Sequence, residues 1–318
     1  MSLTTVMKLQ ENFEKVVENI EKVIIGKREV ATLSLVALLA EGHILLEDVP
    51  GVGKTMMVRA LSKSISADFK RIQFTPDLLP SDVTGVSIYN PKEMDFIYRP
   101  GPVMSHIVLA DEINRTSPKT QSALLEAMEE GNVTTDGVTR PLPRPFFVMA
   151  TQNPIEFDGT YQLPEAQLDR FLFKLKMGYP SMREEIEMLS RQANQSPIAN
   201  LEPVMDVSTL IELQDRVKEV YVDDTIKQYI VEIVNRTRKH DLIYLGSSPR
   251  GSVALMRASQ ALALIQGRDF CVPDDVQYLA LYVLSHRIML KPEARYEGKV
   301  AEDVIREIIE KVYVPIKR

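Results

Sequence analysis

The chain has 318 residues, of which 45% are hydrophobic and 26% charged, and its net charge is −6. Because a single hydrophobic core rarely grows beyond about 250 residues, this length favours two domains. The balanced composition excludes disordered and fibrous proteins, and a mildly acidic chain without a long Lys/Arg run disfavours tight nucleic-acid binding.

The apolar segments are too short to cross a membrane. The most apolar stretch, residues 31–40, ends at Glu41, whereas a bilayer-spanning helix needs about 20 apolar residues. The N-terminal segment lacks the uninterrupted apolar core of a signal peptide. The single cysteine, Cys271, lies between two apolar neighbours, which indicates a buried thiol. We therefore expect a cytoplasmic protein without membrane contacts.

In chain order, the sequence begins with helical patterns and then alternates between strands and helices. Apolar residues recur at helical spacing over residues 9–24, and a more buried helix is predicted at 31–40. An apolar run at 43–46 ends at a Pro-Gly turn and predicts a buried strand, followed by a helix at 55–65. Further strands are predicted at 69–74, 106–110, 146–150 and 171–175. Continuous apolar strands that alternate with helices predict a parallel sheet covered on both faces.

Two segments do not fit a minimal α/β unit and are interpreted as insertions. Residues 75–104 are rich in proline and predict a hairpin between residues 86–89 and 96–99. Residues 132–142 predict a tight hairpin around Asp136-Gly137, a pair that favours a type I′ turn.

After Tyr179-Pro180 the strand signals end. Helical patterns follow at 226–237, 253–265 and 276–286. We therefore predict an α/β domain at residues 1–179 and a second, all-helical domain at 180–318, joined through a polar, proline-containing stretch at 193–203.

A glycine-rich turn between the first predicted strand and the next helix has the pattern of a phosphate-binding loop, Gly51-Val52-Gly53-Lys54-Thr55. Glycines let backbone N–H groups close around phosphate oxygens, and the positive end of the helix dipole lies at the same place. Lys54 can reach the β- and γ-phosphates of a nucleotide, and the Thr55 hydroxyl can bind Mg²⁺. The full pattern has a glycine where this chain has Asp48, so an ordinary glycine-rich turn with an exposed lysine is the alternative.

A second motif follows the strand predicted at 106–110, where Asp111 and Glu112 stand in succession. The carboxyl ends of parallel strands meet at one edge of the sheet, so this pair should lie beside the glycine-rich turn. Asp111 would hold Mg²⁺ through water opposite Thr55, and Glu112 would orient and deprotonate the attacking water. A second carboxylate favours hydrolysis over transfer to an acceptor hydroxyl, and no Asn-Lys-x-Asp guanine motif occurs in the sequence. The sequence therefore predicts an ATP-hydrolysing P-loop enzyme.

Four segments within residues 44–173 together resemble the MoxR family of AAA+ ATPases: EDVPGVGKT, LADEINRTSPKTQSALLEAMEEG, ATQNP and LPEAQLDRF. The segment SSPRG at 247–251 extends the resemblance into the second domain. The resemblance implies a P-loop α/β core with a five-stranded parallel sheet, a helical lid, and ring-shaped homo-oligomers, commonly hexamers. It also matches the two insertions to hairpins that tend to face the ring interior.

The resemblance assigns Mg-ATP contacts to individual residues. The nucleotide would be held by the phosphate loop with its flanks and by two residues after the first helix: Asp48, Val49, Pro50, Gly51, Val52, Gly53, Lys54, Thr55, Met56, Ile25 and Gly26. Ile24-Ile25-Gly26 would pack on the adenine, although core packing explains the isoleucines equally well.

Two further residues match the sensor positions of the family. Asn153 matches sensor 1, where its amide could hydrogen-bond the attacking water or the γ-phosphate; an Asn-Pro turn is the alternative. Arg250 matches sensor 2 and should lie in the first turn of a helix capped by Ser248. A γ-phosphate there would offset the unfavourable interaction between the arginine and the helix dipole, and the alternative is a solvated arginine.

Arg170 matches the arginine finger that reaches the ATP of the neighbouring subunit, a role suited to the planar guanidinium fork. An ion pair with Asp169 or Glu165 is the alternative. Arg115 is a second candidate for a subunit interface. Three nearby acidic residues are interpreted as a solvated helix face: Glu126, Glu129 and Glu130.

The leading functional hypothesis is an ATP-driven, chaperone-like remodeller of a protein client. The resemblance adds a partner containing a von Willebrand factor A domain and a role in the maturation of other proteins. A nucleic-acid motor of a related AAA+ branch is the second hypothesis, which the mixed charge of the two hairpins disfavours. A slow, ATP-timed assembly scaffold is the third, and the sequence does not separate it from the first.

Overall fold

The computed structural model describes residues 3–47, 51–153, 160–192 and 197–315. Five parallel strands, numbered with the others in chain order, form the central sheet: β1 (Ile44–Glu47), β2 (Phe69–Gln73), β5 (Ile107–Asp111), β8 (Phe147–Gln152) and β9 (Phe173–Leu175). Their order across the sheet is β2-β5-β8-β1-β9. These are the strands that the apolar runs predict, and the predicted parallel sheet is confirmed.

Helices cover both faces of the sheet. Successive residues of a strand point to opposite faces, and the strand residues accordingly divide between two apolar clusters: Ile44 and Leu46 belong to the first and Leu45 to the second. Before β9, three helices contribute to the first cluster, α1 (Leu3–Val23), α2 (Arg28–Leu39) and α3 (Lys54–Ser64). Two contribute to the second, α4 (Pro80–Thr84) and α5 (Pro118–Glu130), and a short α6 (Glu165–Leu168) precedes β9.

Both predicted insertions are hairpins outside the central sheet. Two antiparallel pairs form them: β3 (Gly85–Asn90) with β4 (Asp95–Pro100), and β6 (Asn132–Thr135) with β7 (Val138–Pro141). Asp136 and Gly137 have φ angles of 53° and 75°, the positive values that a type I′ turn requires. The hairpins contact each other through a cation–π pair, in which the guanidinium carbon of Arg140 lies 3.9 Å from the centre of the Tyr98 ring.

Helices dominate the chain after β9. They are α7 (Met182–Gln192), α8 (Val207–Glu219), α9 (Asp224–Lys239), α10 (Pro249–Ile265), α11 (Pro273–Leu284), α12 (Pro292–Tyr296) and α13 (Ala301–Lys311). One short antiparallel pair, β10 (Ile243–Leu245) with β11 (Met289–Leu290), adds a small sheet to this helical lid. As predicted, α10 begins at Pro249 behind an N-cap, because the Ser248 hydroxyl accepts a hydrogen bond from the Arg250 amide.

The lid shares one apolar cluster with the core. Helix α2 packs on α8 and α10, and α11 packs on β9, so one cluster of buried side chains extends from the sheet into the lid. The predicted burial of Cys271 is confirmed, and this burial raises the pKa of its thiol to about 12. Among the described helices, none combines the length and apolar character needed to span a bilayer. The division at residues 179 and 180 stays a prediction.

A buried arginine connects the lid to the end of the core. The side chain of Arg287 is 2% exposed, and its Nε donates to the Asp169 carboxylate at 2.7 Å. It also donates to the carbonyl oxygens of Phe171 and Leu172 at 2.6 and 3.1 Å. The second Asp169 oxygen accepts a hydrogen bond from the Ser248 hydroxyl at 3.0 Å. Burial lowers the pKa of Arg287 to about 10 although the Asp169 charge opposes the shift, so the guanidinium stays charged at neutral pH.

Arg287→Ala should lower the free energy of unfolding by about 3–5 kcal/mol, because removing one member of a buried pair leaves its partners without a donor. Urea denaturation followed by circular dichroism measures this loss. Arg306→Ala is the matched control, since Arg306 forms an exposed pair with Asp303, and its effect should stay within about 0.5 kcal/mol. Similar losses in the two variants would contradict a stabilising role for the buried pair.

Candidate active site

A cavity of about 380 Å³ opens at the carboxyl edge of the sheet. The described residues that line it come from four segments of the chain: Gly51, Gly53, Lys54, Thr55, Met56, Arg71, Gln73, Asp111, Glu112, Thr151 and Asn153. The glycine-rich loop, the acid pair and Asn153 therefore meet where the sequence predicts. Asp48, Val49 and Pro50 lie outside the described residues, and Val52 packs against the first apolar cluster.

The loop presents backbone donors to the cavity. Gly51 and Gly53 have φ angles of 86° and 93°, a region that glycine enters without steric cost. Gly53 is the N-cap of α3 and makes no side-chain cap hydrogen bond, so the positive end of the helix dipole lies at the cavity. A Cβ at Gly53 would also come within 2.9 Å of the Cδ1 atom of Ile24. This cradle, with Lys54 beside it, fits the oxygens of a polyphosphate.

Asp111 is the last residue of β5, and both oxygens of its carboxylate accept hydrogen bonds from side chains of neighbouring strands. One oxygen accepts a hydrogen bond from the Thr151 hydroxyl at 2.6 Å. The other accepts from Nε and Nη2 of Arg71 at 3.1 and 2.6 Å. Thr55 lines the same cavity, and its hydroxyl together with the Asp111 carboxylate offers the oxygen ligands that Mg²⁺ prefers.

Glu112 takes different partners from its neighbour because the backbone turns sharply between them. Its φ of 58° is left-handed, a conformation that a residue with a Cβ adopts at a cost. The Glu112 amide donates to the Thr151 hydroxyl at 2.8 Å, so one hydroxyl holds both acids. The Glu112 carboxylate accepts from Gln73 at 2.7 Å and from Arg115 at 2.9 Å. Arg115, considered above for a subunit interface, therefore contacts the site of its own chain.

Asn153 follows β8 and lines the cavity together with Glu112. Its backbone carbonyl accepts a hydrogen bond from the Asn114 side chain at 3.4 Å, which connects the end of β8 to the turn after β5. This location agrees with the expected sensor 1 position, and the role of its amide stays a prediction.

The two predicted arginines lie elsewhere. Neither Arg170 nor Arg250 is among the described residues that line the cavity, and the sensor 2 role of Arg250 and the finger role of Arg170 stay predictions. Both guanidinium groups instead bind one carboxylate. Arg170 lies 3.1 Å from Glu129, and Arg250 donates to the other oxygen of the same residue. Glu129 lies on the exposed face of α5, as the sequence indicates. It also pairs with both arginines, whereas the sequence suggested Asp169 or Glu165 as the partner of Arg170.

The predicted adenine contacts also lie outside the cavity lining. Ile25 is half-buried and Gly26 exposed, and neither is among the described lining residues. Gly26 approaches the Glu184 side chain so closely that a Cβ would collide with it. The neighbour of the loop is Ile24, which belongs to the first apolar cluster and contacts Gly53.

Three residues of the cavity were missed from the sequence: Arg71, Gln73 and Thr151. Arg71 and Gln73 are separated by one residue on β2 and so share a face. Thr151 lies on β8, two positions before Asn153, which follows the strand, and both line the cavity. Alternation along strands would have found them once the strand order was known.

Comparisons with known proteins agree with this geometry. The family model described as ATPase family associated with various cellular activities (AAA) matches residues 43–173, and the AAA lid domain matches residues 235–308. The chain is 68% identical over 304 residues to the uncharacterized protein YeaC of Bacillus subtilis, covering 96% of this chain and 95% of YeaC. It is 41% identical over 311 residues to chaperone MoxR1 of Mycobacterium tuberculosis, covering 95% of this chain and 82% of MoxR1. The chain belongs to the MoxR family of AAA+ ATPases.

A solved structure supports the same MoxR-type fold. The crystal structure of a Cytophaga hutchinsonii protein superposes with a TM-score of 0.91 at 38% identity, covering 98% of this chain and 97% of that one. The predicted fold class, a P-loop AAA+ core with a five-stranded parallel sheet followed by a helical lid, is confirmed.

Thr151→Val should lower kcat for ATP hydrolysis by about 10- to 100-fold, because valine keeps the shape of threonine but removes the hydroxyl that positions both acids. Steady-state ATPase assays measure the loss. Thr151→Ser keeps the hydroxyl and is the matched control, which should remain close to the parent protein. Equal losses of activity in the two variants would contradict the role assigned to the hydroxyl.

Proposed function

We propose that the protein hydrolyses Mg-ATP in this cavity and works as a ring of identical subunits that remodels a protein client in the cytoplasm. One observation carries the hydrolytic part: the phosphate loop, the acid pair and Asn153 line a single cavity. Each of these groups suits a step of phosphoanhydride cleavage. Membership of an ATPase family supports the same activity.

The residues that line the cavity would each have a different role in ATP hydrolysis. Lys54 and the N–H groups in the first turn of α3 would bind the β- and γ-phosphates. Thr55 and Asp111 would hold Mg²⁺, whose charge offsets that of the phosphate oxygens. Glu112 would orient and deprotonate the attacking water, and Asn153 would hold that water or the γ-phosphate.

Glu112 is restrained in the described conformation. Gln73 and Arg115 donate to the same carboxylate oxygen, so a water molecule would have to displace one of them to reach this atom. We infer that these two partners fix the direction of the Glu112 carboxylate, and that exchange of one of them would let it turn towards the attacking water.

Glu112→Gln should reduce ATP turnover by about 10²–10⁴-fold, because the amide cannot accept the proton of the attacking water. Nucleotide affinity should persist, since the phosphate contacts come from other residues. Turnover and binding of a fluorescent ATP analogue are measured on the same preparations. Glu126→Gln, on the exposed side of α5, removes an equal charge and is the control. Equal turnover in Glu112→Gln and the parent protein would refute the assignment of the base.

The arginine pair supports action across a subunit interface. Arg170 comes from the end of the core and Arg250 from the lid, and Glu129 brings them together. Glu129 lies 11 residues beyond the first residue of α5, about 17 Å along the helix axis, whereas Arg115 at the other end of that helix contacts Glu112. Two guanidinium groups at the far end of α5 are therefore placed to serve a neighbouring nucleotide, and Arg170 is favoured over Arg115 as the finger.

A mixing experiment tests this geometry. Arg170→Ala and Lys54→Ala proteins should each be inactive, the first for lack of a finger and the second for lack of nucleotide binding. Because a random 1:1 ring gives an intact site a complete neighbour at roughly one interface in four, up to roughly a quarter of the parent turnover should return on co-assembly.

The control for this experiment mixes Lys54→Ala with Glu112→Gln. Both of these residues act in the same site, so no subunit in that ring has a complete set and no activity should return. Recovery in the control, or none in the Arg170→Ala mixture, would contradict action in trans.

The first hairpin supports a protein client. It exposes several large apolar side chains: Val86, Ile88, Tyr89, Met94, Phe96 and Ile97. Exposed apolar patches mark sites of protein contact, whereas nucleic-acid binding relies on clustered Lys and Arg. Lys92 and Arg99 in this hairpin are balanced by Glu93 and Asp95. The chaperone name of MoxR1 supports the same proposal, and a von Willebrand factor A partner rests on the family resemblance alone.

Two alternative functions have distinct signatures. ATPase activity that DNA stimulates and that falls steeply with salt would favour a nucleic-acid motor. A pull-down with Glu112→Gln protein, which should retain ATP, captures the client for identification. Equal turnover with and without that client would favour a scaffold that uses hydrolysis only as a timer.

A further inference from the structure

Arg71 places a positive charge where the acid pair would meet a metal ion. It stands on β2 with its side chain about half exposed, and it lines the same cavity as Lys54 and Thr55. Its Nε and Nη2 both bind one oxygen of Asp111, at 3.1 and 2.6 Å. The other Asp111 oxygen accepts from Thr151. The carboxylate expected to hold Mg²⁺ is therefore already neutralised by the chain itself.

The Arg71 guanidinium is also connected to Glu112, through the side chain of Gln73. Nη2 of Arg71 donates to the amide oxygen of Gln73 at 2.6 Å, and the amide nitrogen of Gln73 donates to Glu112 at 2.7 Å. The hydrogen bonds thus run from Asp111 through Arg71 and Gln73 to Glu112. A change of partner at Asp111 removes the group that orients the Gln73 amide, and so loosens the restraint on Glu112.

We propose that Arg71 neutralises Asp111 until a metal ion binds there, and that it thereby couples metal binding to the release of Glu112, the proposed base. Arg71 occupies Asp111 while no metal is bound. Asp111 would pass from Arg71 to Mg²⁺ when the metal binds, and the guanidinium would leave Gln73 at the same time. Glu112 would then be free to turn towards the attacking water. This inference rests on the proposed Mg-ATP site and adds a positioning residue to it.

Competition between Arg71 and Mg²⁺ for the Asp111 carboxylate predicts how the affinities for nucleotide and for Mg²⁺ change when Arg71 is removed. The positive charge of Arg71 attracts the phosphates and repels Mg²⁺. Removing it should weaken nucleotide binding without metal, because Asp111 would then face the phosphates unneutralised. Removing it should also strengthen Mg²⁺ binding, because the competitor and its repulsion are lost. Both changes increase the factor by which Mg²⁺ improves nucleotide affinity, and linkage requires this factor to be the same for both ligands.

The test compares binding of a fluorescent AMP-PNP derivative to the full chain in EDTA and in saturating Mg²⁺. Arg71→Gln should raise the ratio of the two dissociation constants by about tenfold relative to the parent protein, the size of one charge-assisted hydrogen bond. Binding of Mg²⁺ by the free nucleotide is the same for every variant and cancels in this comparison. Lys70→Gln removes an equal charge from the adjacent, exposed position of β2 and should leave the ratio unchanged.

Arg71→Lys is a second variant, which is measured in the same way and provides the test if Arg71→Gln does not fold. Lysine retains the charge but not the fork, so the ratio should rise by less than in Arg71→Gln and in the same direction. An unchanged ratio in a folded Arg71 variant, with nucleotide binding intact, would overturn the coupling while leaving the proposed function in place. Absence of nucleotide binding by the parent protein in Mg²⁺ would instead overturn the proposed function and this inference together.

Discussion

Two carboxylates in succession at the end of one strand repel each other, and the architecture around β5 separates them without moving either away from the cavity. The left-handed backbone of Glu112 turns the second acid from the first. That conformation costs on the order of 1–2 kcal/mol, and the Thr151 hydroxyl stabilises it by accepting the Glu112 amide while donating to Asp111. Because β8 pairs directly with β5, Thr151 is held in register with both acids. Adjacent residues can therefore serve a metal and a water molecule separately.

The end of the core connects the lid to helix α5 through two consecutive residues of opposite charge. Asp169 binds the buried Arg287 and the N-cap of α10, whereas Arg170 binds Glu129 on α5, which also holds Arg250 at the start of α10. The first contact is largely buried and stabilises the docking of the lid. The second is partly exposed, so a phosphate can compete for its guanidinium groups at little desolvation cost. A nucleotide at that position would act on both the lid and α5.

Whether a feature can be predicted from the sequence depends on how close together along the chain the residues that form it lie. The strands, the phosphate loop and the I′ hairpin turn depend on apolar runs and on Gly51, Gly53 and Gly137, so local patterns predicted them. The surroundings of Arg250 depend on how the lid packs against α5, which involves residues 121 positions apart, and no local pattern carries that information. Arg71 was missed for a related reason: its partner Asp111 becomes a neighbour only when β2 pairs with β5.

Asp111, Glu112 and Glu129 each have a cation of the same chain beside them. Asp111 has Arg71, Glu112 has Arg115, and Glu129 has the arginine pair. Under the proposed function, binding of Mg-ATP would be an exchange of partners, in which carboxylates pass to metal or water and guanidinium groups pass to phosphate. The affinity that remains after such an exchange is smaller than the sum of the new contacts. Loss of the γ-phosphate after hydrolysis would let the arginines return to their carboxylates, so the internal ion pairs would favour the release of products and the return to the starting conformation.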